Sequence, residues 1–307
     1  MTPQIPTSAV PYVDKPMPRI LCGTDFLLLQ PPRDSFAAFD AYWEAGGRAF
    51  DTAHCYGANT NVFGAWVNSR GVEKETIFFD KGCHPYGKPR VTREDMRQDI
   101  LDNHKRLGVQ YTDLFVLHRD DEDIPVGEII DWLNEFKNEG LIGAFGGSNW
   151  HHLRLQAANE YAEKAGKQPM SLGNPNLSLA LANEPMWSGC ISLDEEARRW
   201  YAETGFPLFS WSSTARGYFA GVQDPDVERV FYNETNRQRL ARTKELGEKY
   251  GMSTVQIALA WVLNQPGNVF ALCGLRSKDN VAENVAAATL KLSPEELRYL
   301  EFGDSAA

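Results

Sequence analysis

The sequence predicts an α/β protein built as a single-domain (β/α)8 barrel, the TIM-barrel architecture. Three observations carry that prediction. Eight short apolar runs recur along the chain, at residues 19–23, 49–52, 76–81, 111–118, 142–146, 171–174, 207–212 and 269–274. Stretches with helical spacing separate them, which implies βαβ units and a parallel sheet. The chain has 307 residues, enough for one such barrel, which runs to roughly 250 residues or more.

Most of the runs are continuously apolar, as expected of parallel strands buried on both faces. The first ends in Gly23-Thr24 and the second in Phe50-Asp51-Thr52-Ala53. The third ends in Asp80-Lys81-Gly82, the fourth in Leu117-His118-Arg119, and the fifth in Gly146-Gly147-Ser148-Asn149. Between the second and fifth runs, Thr92 stands three residues before Asp95 at capping-box spacing, and Ile129, Ile130, Leu133 and Phe136 form one helical face that stops at Gly140. Further helix starts are expected at Ser192 with Glu195, at Ser253 with Gln256, and at Ser293-Pro294-Glu295-Glu296. Residues 181–192 and 217–237 have neither period and are expected to be loops over the substrate, at the barrel end where such loops build active sites. No G-x-G-x-x-G follows an early strand, which weighs against an open dinucleotide-binding sheet. No domain boundary is visible, so one domain is expected over 1–307.

Composition narrows the function classes. The chain is 43% hydrophobic and 23% charged, which suits a soluble globular protein with a large core. Its formal net charge of −10 argues against nucleic acid or an anionic membrane as the main partner. Five cysteines, none in a C-x-x-C pair, argue against a disulfide framework and for the cytoplasm. The start Met1-Thr2-Pro3-Gln4 has no basic segment followed by an apolar block, so no signal peptide is expected. No apolar run reaches the ~18–20 residues of a membrane span.

In a barrel, strand ends converge on one mouth. Asp51, Tyr56, Lys81 and His118 would then share a pocket, and they make sense as an acid/base centre. An ammonium near the Tyr56 phenol would lower its pKa, and a buried Asp51 would hold Lys81 charged. His118 could hydrogen-bond a substrate oxygen. Each residue alone has a structural reading: a cap, a surface lysine, a core histidine, loop packing. Their joint placement favours chemistry.

Three segments then point to a family. Gly47-Arg48-Ala49-Phe50-Asp51-Thr52-Ala53-x-x-Tyr56-Gly57, Asp113-Leu114-Phe115-x-Leu117-His118-Arg119 and Ile142-Gly143-Ala144-x-Gly146-x-Ser148-Asn149 resemble the signatures of the aldo-keto reductases, and the likeness runs from about Ile20 to Leu300. The resemblance implies a (β/α)8 barrel, an NAD(P)H-dependent oxidoreductase and a catalytic tetrad of Asp51, Tyr56, Lys81 and His118, with Tyr56 the general acid. It implies a cofactor site of Gly23, Thr24, Asp51, Ser148, Asn149, Asn174, Trp211, Ser212, Arg216, Gly274, Arg276, Ser277, Asn280, Glu283 and Asn284. Trp211 would stack on the nicotinamide, and Arg276 with Ser277 would meet a 2′-phosphate, favouring NADP(H) over NAD(H). The sequence departs from the family pattern at Asp25, Asn174 and Leu177. His54, His84 and Trp150 are expected to touch a small carbonyl or alcohol substrate, and the polar rim formed by residues 81–85 and 118–121 suggests a hydroxylated, sugar-like one.

Two rival readings remain. One is a cofactor-binding regulatory barrel without useful turnover, since some relatives of the family are channel subunits. The other is a metal-dependent hydrolase or isomerase using His54, Cys55, Cys83, His84 and His118. The sequence is silent on oligomeric state.

Overall fold

The computed structural model describes residues 4–303. Residues 1–3 and 304–307, which hold the start of the segment read for a signal peptide and both ends of the expected domain, lie outside the described residues.

The chain opens with a hairpin of β1 (Thr7–Val10) and β2 (Val13–Pro18) and enters the barrel at β3 (Ile20–Gly23). Then follow α1 (Pro32–Glu44), β4 (Ala49–Asp51), α2 (Ala58–Arg70), β5 (Ile77–Gly82), α3 (Arg93–Leu107), β6 (Thr112–Leu117), α4 (Val126–Asn138), β7 (Ile142–Ser148), α5 (His152–Lys164) and β8 (Leu172–Asn174). The chain completes with α6 (Glu195–Thr204), β9 (Leu208–Ser210), α7 (Pro225–Phe231), α8 (Glu234–Tyr250), α9 (Thr254–Leu263), β10 (Val269–Cys273), α10 (Lys278–Thr289) and α11 (Pro294–Phe302). Strands β3 to β10 pair in parallel and in order, and β10 closes on β3. The eight expected strands are all present, each within two residues of its expected ends.

The expected helix signals mostly hold. Thr92 caps α3 by accepting from the Asp95 amide, and Ser253 and Ser293 form full capping boxes. Gly140, just beyond α4, takes a φ of 76°, the left-handed turn that glycine tolerates. Two expectations are corrected. The cap of α6 is Asp194, whose side chain accepts from the Ala197 amide, while Ser192 bonds Asn176 instead. Residues 217–237 are not a plain loop. Asp224 and Pro225 start α7, whose Val227, Val230 and Phe231 are buried at helical spacing, and Asn233 starts α8. Residues 181–192 do lack helix and strand.

One core cluster fills the barrel itself. Leu21, Ala49, Ile77, Phe79, Leu114, Val116, Ala144, Leu172, Phe209, Phe270 and Leu272 pack together, with the Phe209 and Phe270 rings stacked at 4.4 Å. Side chains alternate in and out along each strand, so these residues fix which positions face inward. Val10 and Met17 of the hairpin join the same cluster. Lys15 bonds the Thr76 carbonyl and pairs with Asp113, and Asn268 reaches the Ala9 carbonyl. These partners all precede or open barrel strands, so the hairpin stoppers the N-terminal end. Helices and outward strand faces form the two larger clusters outside the barrel.

Candidate active site

The inward parity carries straight into the site. Two residues beyond an inward core residue of each strand stand Gly23, Asp51, Lys81, His118, Asn174, Trp211 and Gly274, after Leu21, Ala49, Phe79, Val116, Leu172, Phe209 and Leu272. On β7, Ser148 lies four beyond Ala144. Each strand thus delivers one of the expected site residues to the C-terminal mouth.

Asp51 and Lys81 form a direct ion pair, both almost fully buried. Burial raises the Asp51 pKa to about 6, against the pull of Lys81, so the carboxylate is ionised at neutral pH. Thr24 is also buried and donates to the Asp51 carbonyl at 2.9 Å, fixing the strand end that carries the acid. The Lys81 ammonium lies 5.2 Å from the centroids of both the Tyr56 and Phe79 rings.

Tyr56 follows β4 on a short 3-10 turn, His54–Tyr56. The turn is held at its ends: Arg106 donates to the His54 carbonyl at 2.8 Å, and Asn59 to the Tyr56 carbonyl at 3.1 Å. Gly57 follows with a φ of 56°. The lowered phenol pKa expected beside Lys81 is not the net result. Burial, reinforced by Asp51 and Asp25, pushes the Tyr56 pKa well above its ordinary value. The group is therefore held as a neutral phenol.

His118 packs edge-on to Tyr56, ring centroids 6.2 Å apart, and edge-on to His84 at 5.0 Å. Burial, with Lys81, Arg119 and His84 nearby, drives its pKa well below the usual histidine value. It is a neutral imidazole.

The expected cofactor residues fall into two groups. At the mouth, Ser148 donates to the Asn174 carbonyl, and the Asn149 amide bonds Ser148 and the His118 carbonyl while its oxygen accepts from Trp211 Nε1 at 3.0 Å. Asn174 donates to the Phe209 carbonyl, but its Oδ1 is buried with no hydrogen-bond partner among the described residues. Non-glycine residues in the left-handed region gather here: Cys83, Asn149, Ser212, Ala215 and Arg216. Such strain costs of order 1–3 kcal/mol each and concentrates at functional sites. At the outer edge, Gly274 leads to exposed Arg276, whose guanidinium covers Phe26 at 5.2 Å. Ser277 caps α10 through the Asn280 amide, Asn280 bonds Glu283, and Asn284 bonds the Asn280 carbonyl. A helix N-terminus flanked by Arg276 and Lys278 suits a phosphate.

The expected substrate residues are split. His84 is at the mouth, its Nδ1 buried without a partner among the described residues. His54 is turned away, its ring nitrogens 3.3 Å from Asp99 and 3.3 Å from Asp102 of α3. Trp150 is 1% exposed and packs in the core over Gly147 with Arg154 against its ring, so it backs the wall rather than lining it. One residue, Trp187, was missed, and Arg119, expected only as part of the polar rim, has a further part. Buried Arg119 donates to the His118 and Ser188 carbonyls and so pins the 181–192 loop to the mouth. Trp187 of that loop lies over Trp211 at 5.9 Å, with Arg216 at 4.9 Å on its ring. Trp187 carries no signal beyond being a tryptophan in a long loop. Among the described residues no three His, Cys, Asp or Glu side chains gather to hold a metal, so the ligand set considered above does not assemble. Nor is any described helix long and apolar enough to cross a membrane.

A model of the aldo/keto reductase family matches residues 25–302. A putative aryl-alcohol dehydrogenase of Schizosaccharomyces pombe is 25% identical, over 89% of this chain and 86% of its own. A versiconal hemiacetal acetate reductase of Aspergillus parasiticus is 25% identical over 87% and 86% respectively. An aryl-alcohol dehydrogenase [NADP(+)] of Phanerodontia chrysosporium is 23% identical over 87% and 74%.

Proposed function

The chain belongs to the aldo/keto reductase family and is an oxidoreductase of carbonyl and alcohol compounds, and from that premise we infer that it reduces aromatic aldehydes or ketones with NADPH, Tyr56 giving the proton. The observation that carries this reading is the Asp51–Lys81 pair beneath a phenol that stays protonated, beside a neutral imidazole.

The residues fit a nicotinamide dinucleotide. The unpartnered Oδ1 of Asn174 is a ready acceptor for a carboxamide N–H, and Ser148 and Asn149 stand beside it. Trp211 offers a flat face, and Arg276, Ser277 and Lys278 would hold a 2′-phosphate, which favours NADP(H). When bound, the reduced cofactor supplies a hydride. The protein's own part is acid catalysis. His118 positions the carbonyl oxygen, and Tyr56 passes its phenolic proton to that oxygen as negative charge develops there. Lys81 then faces the phenolate, whose charge its ammonium stabilises.

The substrate class follows from what the rim has left over. Rim groups behind the sugar-like expectation are engaged: Lys81 with Asp51, Arg119 with the His118 and Ser188 carbonyls, Asp120 with Arg154; His54 is likewise held by Asp99 and Asp102. Trp187, Trp211, Tyr86 and His84 remain as aromatic surface around the mouth. A planar aromatic carbonyl suits such walls better than a polyol. Two of the relatives named above are called aryl-alcohol dehydrogenases.

The test is NADPH oxidation with substituted benzaldehydes and with aldoses, for the wild type and Tyr56→Phe. The wild type is expected to prefer the aromatic series, and Tyr56→Phe to lose at least ~100-fold in kcat with its NADPH affinity intact. Full activity in Tyr56→Phe would remove the acid assignment; faster turnover of aldoses would restore the polyol reading.

A further inference from the structure

The 3-10 turn that carries Tyr56 also carries Cys55, and Cys55 reaches the histidine. Its Sγ lies 3.5 Å from His118 Nδ1, within range of an S–H···N hydrogen bond. No other residue among those described bonds a His118 ring nitrogen, and Nε2 is not sealed from solvent. The backbone on either side of the imidazole is fixed. The His118 amide donates to the Gly82 carbonyl at 2.7 Å, and its own carbonyl accepts from Arg119 and Asn149. The backbone around Cys55 is clamped by Arg106 and Asn59. The thiol and the ring therefore meet between two rigid supports.

We propose that Cys55 is a positioning residue: its thiol donates to Nδ1 of His118, which fixes the imidazole as the Nε2–H tautomer and leaves that N–H to donate to the substrate's carbonyl oxygen. A neutral imidazole has one donor and one acceptor nitrogen, and the partner of one decides the role of the other. A donor at Nδ1 makes Nδ1 the acceptor. A tetrad histidine in the other tautomer would present a lone pair to the carbonyl oxygen and repel it. Burial keeps Cys55 a thiol, raising its pKa to about 11, so the proton needed for the bond is present at neutral pH. The groups facing the imidazole are Cys55 and Tyr56 on the turn, Lys81 and His84 on the β5 side, and Arg119 on its own strand end. None of them besides Cys55 bonds Nδ1.

This inference rests on the reductase reading for its catalytic consequence, but the tautomer can be measured without turnover. Histidine 15N chemical shifts are to be recorded at neutral pH on labelled wild type, Cys55→Ser, Cys55→Val and, for assignment, His118→Asn. Wild type and Cys55→Ser, whose hydroxyl can still donate, are expected to show His118 as Nε2–H. Cys55→Val, larger by roughly one methyl group and without a donor, is expected to show Nδ1–H or a mixture of both. In parallel, Cys55→Val is expected to lose roughly fivefold in kcat for carbonyl reduction, with NADPH affinity unchanged and Cys55→Ser near wild type. An Nδ1–H tautomer in the wild type overturns the proposal, as does a Cys55→Val protein with unaltered tautomer and kcat. If His118 shows the Nε2–H tautomer, dependent on Cys55, yet no carbonyl is turned over, the positioning contact stands and the reductase reading fails instead.

Discussion

Asp80 holds a carboxylate in the wall of the barrel with only half its hydrogen bonds made. One oxygen accepts from the Lys81 amide and from Asn103; the other is buried with no partner among the described residues. Burial raises its pKa from 3.8 to about 7, a rise that corresponds to about 4 kcal/mol. The sign follows from linkage. The folded state holds the proton more tightly than the unfolded one, so stability falls as pH rises from about 4 to about 7, and the cost is complete above that. Asp80→Asn removes the charge. It should match the wild type near pH 4 and exceed it by up to about 4 kcal/mol at pH 8, read from urea midpoints at each pH. A difference that ignores pH would show that Asp80 is not the titrating group. Asp51 has the same sign, its pKa being about 6, but its ion pair with Lys81 couples it to the site. At this scale the sequence was legible where a residue stood at a strand end inside a recognisable motif, as Asp51, Tyr56, Lys81 and His118 did. It was not legible where burial decides. The direction of the Tyr56 pKa depends on how deeply the phenol sits, and the engagement of His54 depends on α3 lying beside the turn.

The elements divide labour between the two ends of the barrel. Strand ends hold the chemistry at the C-terminal mouth, while the β1–β2 hairpin fills the opposite end. Met17 is fully buried there, in the same cluster as Phe79, which underlies Lys81. Met17→Ala should therefore cost 2–5 kcal/mol of stability through the lost burial and the cavity it leaves. The site lies at the far end, so NADPH affinity should hold. Chemical denaturation and a cofactor titration on the same sample check both halves. A loss of affinity would mean that the stopper and the mouth are mechanically coupled. The eight barrel strands were readable because parallel strands buried on both faces are continuous apolar runs. The hairpin was not, since Pro11, Pro16 and Pro18 and the charged Asp14 and Lys15 break any strand pattern. The helix α7 was overlooked because its seven residues give less than two turns of period to detect.

Over the whole molecule, the net charge of −10 repels a dinucleotide phosphate at long range. Any attraction must be local, and in the proposed cofactor site Arg276 and Lys278 at the start of α10 would supply it. Tryptophan-fluorescence titrations should then find NADPH bound at least tenfold more tightly than NADH at low salt. The gap should narrow as ionic strength rises, because exposed charges are screened within about 10 Å at 0.1 M. Arg276→Ala should bring the two affinities together. Equal affinities in the wild type would leave the 2′-phosphate without a reader. The closed topology was legible from the count of alternating elements, and residues 181–192 were expected over the mouth; how they are held there was not legible, since it depends on Arg119 and Trp187 meeting partners far away in sequence.

The ring of strand ends also bears on how such a protein can change over generations. The candidate groups Asp51, Lys81 and His118 stand at the ends of barrel strands, where most substitutions cost stability. Trp187, by contrast, sits on a loop, residues 181–192, outside the barrel strands. On the proposed function, changes in that loop would alter substrate preference while leaving the reaction itself unchanged.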